Sequence, residues 1–142
     1  MKLITQLKSS KILCLDKVEQ LTVTVAENAH YRWLSFGDVI QSVMLKRNAH
    51  LLTLPHQVAL CLPLLWFQPK TIVELGLGGG NFRRFIQSLS SKTQVISIEP
   101  EKKVIELFLE YFNPENNAHN IINQPAEKYL KDPSRQPHEW LI

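Results

Sequence analysis

Four of the five glycines in this 142-residue chain fall within five consecutive positions, as Gly76, Gly78, Gly79 and Gly80. Upstream lies Thr71-Ile-Val-Glu-Leu75, a short apolar run. Downstream, from Asn81 to Leu89, Phe82, Phe85, Ile86 and Leu89 recur at i, i+3, i+4 and i+7. The order reads as a buried strand, a turn and an amphipathic helix. Glycine allows positive φ in such a turn and leaves the main chain bare for a ligand to lie against. The helix that follows aims its free N–H groups and the positive end of its dipole at the same spot. A tight turn alone needs one glycine; the cluster points to a binding loop. The dinucleotide fingerprint G-x-G-x-x-G would need glycine at 81, where Asn81 stands, so NAD is not the expected ligand. The phosphate loop ending G-K-[ST] is absent too, because no lysine follows Gly80.

The rest of the chain organises around that junction. Gln94 to Ile98 reads as a second strand, leading into Glu99-Pro100. Glu101 to Phe112 reads as a helix whose core face is Val104, Ile105, Leu107, Phe108, Tyr111 and Phe112, stopped by Asn113-Pro114. Asn120 to Ile122 is a third strand, Pro125 to Leu130 a short helix, Asp132 to His138 a loop, and Glu139 to Ile142 the opening of a fourth strand. Strands separated by helices imply right-handed crossovers and a parallel sheet, here incomplete at three to four strands. Residues 1–49 read instead as strands. Leu21 to Val25 alternates apolar and polar residues, and Gly37-Asp38 joins Tyr31–Phe36 to Val39–Met44 in a hairpin with a type II′ turn. The fold class is therefore α/β, with an N-terminal antiparallel β-hairpin unit (1–49) and a partial nucleotide-binding domain (50–142). Within the latter, Pro55 opens a helix near Thr53 or Leu54, and Pro63 kinks or breaks it. Its run from Val58 to Leu65 is apolar on most sides, so burial or an interface is expected.

Composition narrows the function. Apolar residues at 44% and charged residues at 20% suit a soluble globular protein. A net charge of +3 does not argue for nucleic acid. Cys14 and Cys61 sit in apolar runs and read as two buried thiols, with no metal spacing between them. Val58 to Phe67 is too short to span a membrane, and Met1 to Lys8 lacks the pattern of a secretory signal, so a cytoplasmic protein is expected. His30, His50, His56, His119 and His138 are scattered, and no Ser-His-Asp set, carboxylate pair or metal cluster stands out. The doublets Arg83-Arg84 and Lys102-Lys103 read as solvated surface. No catalytic residue is identified.

Glu74-Leu-Gly-Leu-Gly-Gly-Gly80 matches E-x-G-x-G-x-G. It resembles motif I of the class I S-adenosylmethionine-dependent methyltransferases and of their relatives, the spermidine and spermine synthases. Glu99 ends the next strand, where a carboxylate accepts both ribose hydroxyls of an adenosine; capping the helix at Pro100 is a compatible role. Trp33 to Ser42 is similar to the hairpin that precedes the nucleotide-binding domain in the spermidine synthase-like family. Leu54-Pro-His-Gln-Val-Ala59 is similar to the helix that follows it. The resemblance covers about residues 20–142.

It implies a Rossmann-type methyltransferase-like fold and a small nucleoside ligand: S-adenosylmethionine, its decarboxylated form or methylthioadenosine, with no metal. Gly76, Gly78 and Gly80 would pack against the ligand's tail, and Glu74 would sit under the turn, near its amino group or a bridging water. Glu99 would hold the ribose, with Ile98 and Pro100 flanking the adenine. Gln41 would line the site, or else face solvent. Asn123 or Gln124 would accept the adenine amino group, although Pro125 holds the slot where the family carries an aspartate. Gly79 stands where spermidine synthases carry another. The family's catalytic aspartate lies past the fourth strand, so the resemblance implies a truncated relative. A complete parent would be an aminopropyl- or methyltransferase. A catalytically inactive remnant, or a module that dimerises through the edge of its unfinished sheet, is the alternative.

Overall fold

Two four-stranded sheets carry the chain. The computed structural model describes residue 7, residues 10–18 and residues 20–142. Apart from Leu7, the segment Met1 to Lys8 lies outside the described residues. The first sheet is an antiparallel meander of β1 (Lys11–Val18), β2 (Leu21–Glu27), β3 (Tyr31–Phe36) and β4 (Val39–Leu45), in that spatial order. Gly37 has φ of 52° and Asp38 has no positive φ, as a type II′ turn requires.

The second sheet is parallel, with order β7-β6-β5-β8. Its strands are β5 (Thr71–Leu75), β6 (Gln94–Glu99), β7 (Ile121–Asn123) and β8 (Trp140–Leu141). Helix α2 (Asn81–Leu89) links β5 to β6, α3 (Lys102–Leu107) links β6 to β7, and α4 (Ala126–Lys131) links β7 to β8. The alternating βα pattern and its crossovers are thus as the periodicity implies. Beyond β8 the ladder continues through Glu139 N–H to Thr71 O at 3.0 Å and Ile142 N–H to Val73 O at 2.9 Å. Ile72 and Val73 are consequently fully buried, so β5 is not the open apolar edge that the short fourth strand suggests.

Three local features depart from the periodicity. The helix at 101–112 changes hand-hold after Leu107: Phe108–Phe112 forms a π-helical turn. Such a turn leaves carbonyls without helical partners, and two arginines take them. Arg32 Nη1 donates to Tyr111 O at 2.7 Å and Arg84 Nη1 to Phe112 O at 2.7 Å. Helix α1 (Pro55–Leu60) ends at Cys61, and a 3-10 turn (Leu62–Leu65) begins just before Pro63. Neither buries a side chain. Leu65 and Trp66 are 74% and 78% exposed, so of the two expectations, burial or an interface, burial is not met and an apolar face is left open. Cys14 and Cys61 are only half-buried, as free thiols.

The sheets share a core. Val23, Val25, Leu34 and Met44 from the meander pack with Leu77, Leu107, Phe108 and Phe112 from the α/β part. The meander's other face buries Leu7, Ala26, Trp33 and Val43. In the parallel sheet, Ile72, Phe82, Ile86 and Val95 form the layer under α2, where Trp140 meets Phe82 edge-on at 5.7 Å. No helix among the described residues is long and apolar enough to cross a membrane.

Gly80 shows how close the layers come. Its φ is +63°, and a Cβ there would lie 2.3 Å from Phe108 Cε2. Gly80→Ala therefore combines backbone strain with a clash against a buried ring. It should destabilise the fold by about 2–3 kcal/mol, read as a lower urea midpoint with an unchanged m-value; a midpoint equal to that of the original chain would show that the ring moves aside freely.

Candidate functional site

A cavity of about 440 Å³ opens at the carboxyl ends of β5 and β6, the end of a parallel sheet where crevices form. Its floor is the strand-to-helix turn, with Glu74, Leu75, Gly76, Leu77 and Gly78. Gly76 has φ of +102° and nothing within 4 Å of a would-be Cβ, so bare main chain faces open space. Glu99 and Glu101 come from β6 and the loop after it, and Val104 from α3. His56, Gln57 and Leu60 of α1 form one wall, and Ile142 lies beside it. The N-terminal sheet supplies Phe36, Gln41 and Ser42.

Gln41 and Ser42 are neighbours in a strand, where consecutive side chains ordinarily face opposite ways. A β-bulge explains how both reach the cavity. Leu34 pairs with Ser42 and Ser35 with Ile40, so Gln41 is the unpaired extra residue.

Glu99 is 6% exposed, and its two carboxylate oxygens already accept main-chain N–H groups. Oε2 takes Leu77 N–H at 2.9 Å and Oε1 takes Glu101 N–H at 3.1 Å. It thereby ties the glycine turn to the loop after β6, and each oxygen keeps a lone pair for the cavity. Glu74 accepts the Ser97 hydroxyl at 2.7 Å, and Ser97 Oγ in turn accepts Arg83 Nη1 at 3.2 Å. Burial pushes the Glu74 carboxyl up from 4.5 to about 7, against the pull of Ser97, Arg83 and Arg84.

Arg83 and Arg84 are not solvated surface. They are 1% and 3% exposed. Arg83 reaches Val95 O at 3.1 Å, Ser97 Oγ and His119 O. Arg84 donates to Ala49 O at 2.8 Å, to Gly79 O, to Phe112 O and to Asn81 Oδ1 at 2.7 Å. Burial lowers the Arg84 pKa to about 10, which leaves the guanidinium charged at neutral pH. Main-chain carbonyls and uncharged side-chain oxygens, rather than carboxylates, receive these hydrogen bonds, and among the described residues Arg83 Nε is left without a partner. Lys103 pairs with Asp16 of β1 at 2.6 Å.

Of the residues singled out by sequence, Gln41, Glu74, Gly76, Gly78 and Glu99 come together at the cavity, with His56 on its wall. The others do not. Gly80 faces the Phe108 ring. Gln124 lines a separate cavity with Tyr129 and Asp132. Asn123 uses its amide on Glu99 O at 2.9 Å and Pro100 O at 2.7 Å. Ile98 belongs to the layer with Val73, Ile96 and Tyr129, and Pro100 is exposed. Conversely, sequence reasoning missed Ser42, Glu101 and Val104. Glu101 and Val104 carry a signal in hindsight, standing two and five residues past Glu99; Ser42 carries none. Among the described residues, no group of three or more His, Cys, Asp and Glu is placed to hold a metal ion.

No family model matches the chain. A polyamine aminopropyltransferase of Chromobacterium violaceum is 30% identical over 113 residues, which is 77% of this chain and 43% of that protein. The spermidine synthase of Thermotoga maritima superposes with a TM-score of 0.65 at 16% identity, over 84% of this chain and 42% of its own. This chain is spermidine synthase-like. A spermidine synthase in complex with the transition-state analogue AdoDATO superposes at 0.64 with 16% identity, over 84% of this chain and 43% of its own. A probable spermidine synthase from Corynebacterium glutamicum reaches 0.65 at 14% identity, over 84% of this chain and 46% of its own. The spermidine synthase-like chain spans less than half the length of the curated relative that it matches.

The raised Glu74 carboxyl carries a pH signature. Unfolded, it titrates near 4.5; folded, near 7. The folded chain holds the proton to higher pH, so this group's effect is a loss of stability as pH rises from about 4.5 to 7, complete above that range. Glu74→Gln keeps an acceptor for Ser97 and removes the titration. Urea midpoints at pH 5 and 7.5 should differ less in the variant than in the original chain; equal differences would show that Glu74 ionises normally.

Proposed function

We propose that the chain binds an adenosine-derived thioether or sulfonium compound in the cavity above the glycine turn: S-adenosylmethionine, its decarboxylated form or methylthioadenosine. The observation that carries this reading is the charge of the lining. Glu74, Glu99 and Glu101 face the cavity, and no Lys or Arg does among the described residues. A phosphate would meet repulsion there, whereas an uncharged or cationic nucleoside would not. A volume of about 440 Å³ also falls in the range of small-ligand sites.

In this reading Gly76 and Gly78 present main chain to the ligand's tail, and Glu99 accepts ribose hydroxyls on the lone pairs that Leu77 and Glu101 leave free. Glu74 faces the amino end, and Gln41 lines the same cavity. The relatives named as aminopropyltransferase and spermidine synthases support a transferase of sulfonium donors for a protein of their full length. When bound, such a donor supplies the electrophilic carbon; this chain's residues bind and orient it. A second reading, a module that self-associates or is inactive, draws on the open apolar face at Leu65 and Trp66. A monomer by sedimentation at micromolar concentration would end the self-associating form of that reading.

Calorimetric titration tests the first. Methylthioadenosine and S-adenosylmethionine should bind, and adenosine monophosphate should bind at least about tenfold more weakly. Glu99→Ala should weaken methylthioadenosine by about ten- to a hundredfold. No binding of either sulfur compound would overturn the reading, and unchanged affinity in the variant would remove Glu99 from it.

A further inference from the structure

Gly79 does not line the cavity, yet it is held from two sides. Its N–H donates to Ser42 Oγ at 2.8 Å, and its carbonyl accepts Arg84 Nη1. Its φ is not positive, so the main chain alone would tolerate a side chain. Space does not. A Cβ on Gly79 would lie 2.7 Å from Ser42 Cβ, 3.1 Å from Ser42 Oγ and 3.3 Å from Phe112 Cδ1. Ser42 reaches this point because the bulge at Gln41 turns it out of register. One residue further, Val43 O accepts Asn81 Nδ2 at 2.8 Å. Asn81 Oδ1 accepts Arg84 Nη2 at 2.7 Å. All three side chains, Ser42, Asn81 and Arg84, are buried. The glycine turn is therefore fastened to β4 directly at the Gly79 N–H and, through Arg84 and Asn81, indirectly at its carbonyl, out of reach of water that could compete for the bonds.

We propose that Ser42 and Arg84 are positioning residues of the nucleoside site. They hold the Gly79 peptide groups from opposite sides and so set the path of Gly78, which faces the ligand. The Ser42 side chain, not backbone conformation, confines position 79 to glycine. The N-terminal sheet is in this way a working part of the site. The proposal rests on the reading of the cavity given above.

A size swap tests it, in Gly79→Ala, Ser42→Gly and the double variant, with methylthioadenosine affinity measured well below each variant's melting temperature. Gly79→Ala should lose at least tenfold in affinity. Ser42→Gly, which removes the acceptor of the Gly79 N–H, should lose several-fold. The double variant should bind several-fold better than Gly79→Ala, because removing the Ser42 Cβ makes room for the new methyl. A role in stability alone would change melting temperature without this crossed pattern of affinities. If Gly79→Ala does not fold, the double variant is compared with Ser42→Gly, from which it should differ little. Amide exchange of Gly79 separates this proposal from the ligand reading. It should be slow in the original chain and at least tenfold faster in Ser42→Gly, whether or not methylthioadenosine binds. Gly79→Ala binding like the original, a double variant no better than Gly79→Ala, or a fast Gly79 amide in the original chain would each overturn the proposal.

Discussion

The Arg84 guanidinium is the joint on which the architecture turns. It reaches Gly79 of the glycine turn, Ala49 of the linker after β4, Phe112 of the π-helical turn and Asn81 at the start of its own helix. A buried cation is tolerable only when every donor finds an acceptor. Carbonyls serve that purpose here because each comes from a place where regular hydrogen bonding has lapsed: a loop, a turn, or the end of a π-helical segment. The guanidinium and those orphan carbonyls thus satisfy one another, and losing the arginine would strand several buried acceptors at once.

The π-helical turn belongs to the same economy of partners. Had α3 continued regularly, Tyr111 and Phe112 would present their carbonyls elsewhere on the helix. The wider turn brings Phe108 over Gly80, Phe112 toward Gly79, and the two carbonyls to Arg32 and Arg84. The aromatic side chains fill the gap between sheets while the main chain binds one arginine from β3 and one from α2. The shared core and the shared hydrogen bonds explain why the glycine turn packs so tightly from below and stays open above.

Charge is sorted across that turn. Below it, two arginines sit in carbonyl cages; above it, three carboxylates line the cavity. Glu74 and Arg83 meet only through the Ser97 hydroxyl. The separation leaves Glu74 poorly compensated, and burial raises its pKa to about 7. At Glu99, main-chain N–H groups reach both carboxylate oxygens. Two glutamates at the ends of adjacent strands therefore play different physical parts: one ties the glycine turn to the loop after β6, the other sits where its proton is held to neutral pH.

Local sequence determined the elements: the β5–turn–α2 unit, the alternation that follows it, and the Gly37-Asp38 hairpin, because side-chain period and glycine placement act over a few residues. It also made Gly76, Glu74 and Glu99 legible as neighbours, since parallel strands bring their carboxyl ends together. Tertiary structure alone decided the rest. Arg83 and Arg84 read as surface because carbonyl partners leave no mark in a sequence, whereas carboxylate partners would. The run at Val58–Phe67 read as buried or at an interface, and sequence could not choose between them, because apolar character says what a segment can pack against, not whether anything lies there. Ser42 became visible only through a bulge in β4, and Gly79 and Gly80 only through what a Cβ would strike. Periodicity is a property of neighbours along the chain; clearance and hydrogen-bond partnership depend on segments that meet only after folding.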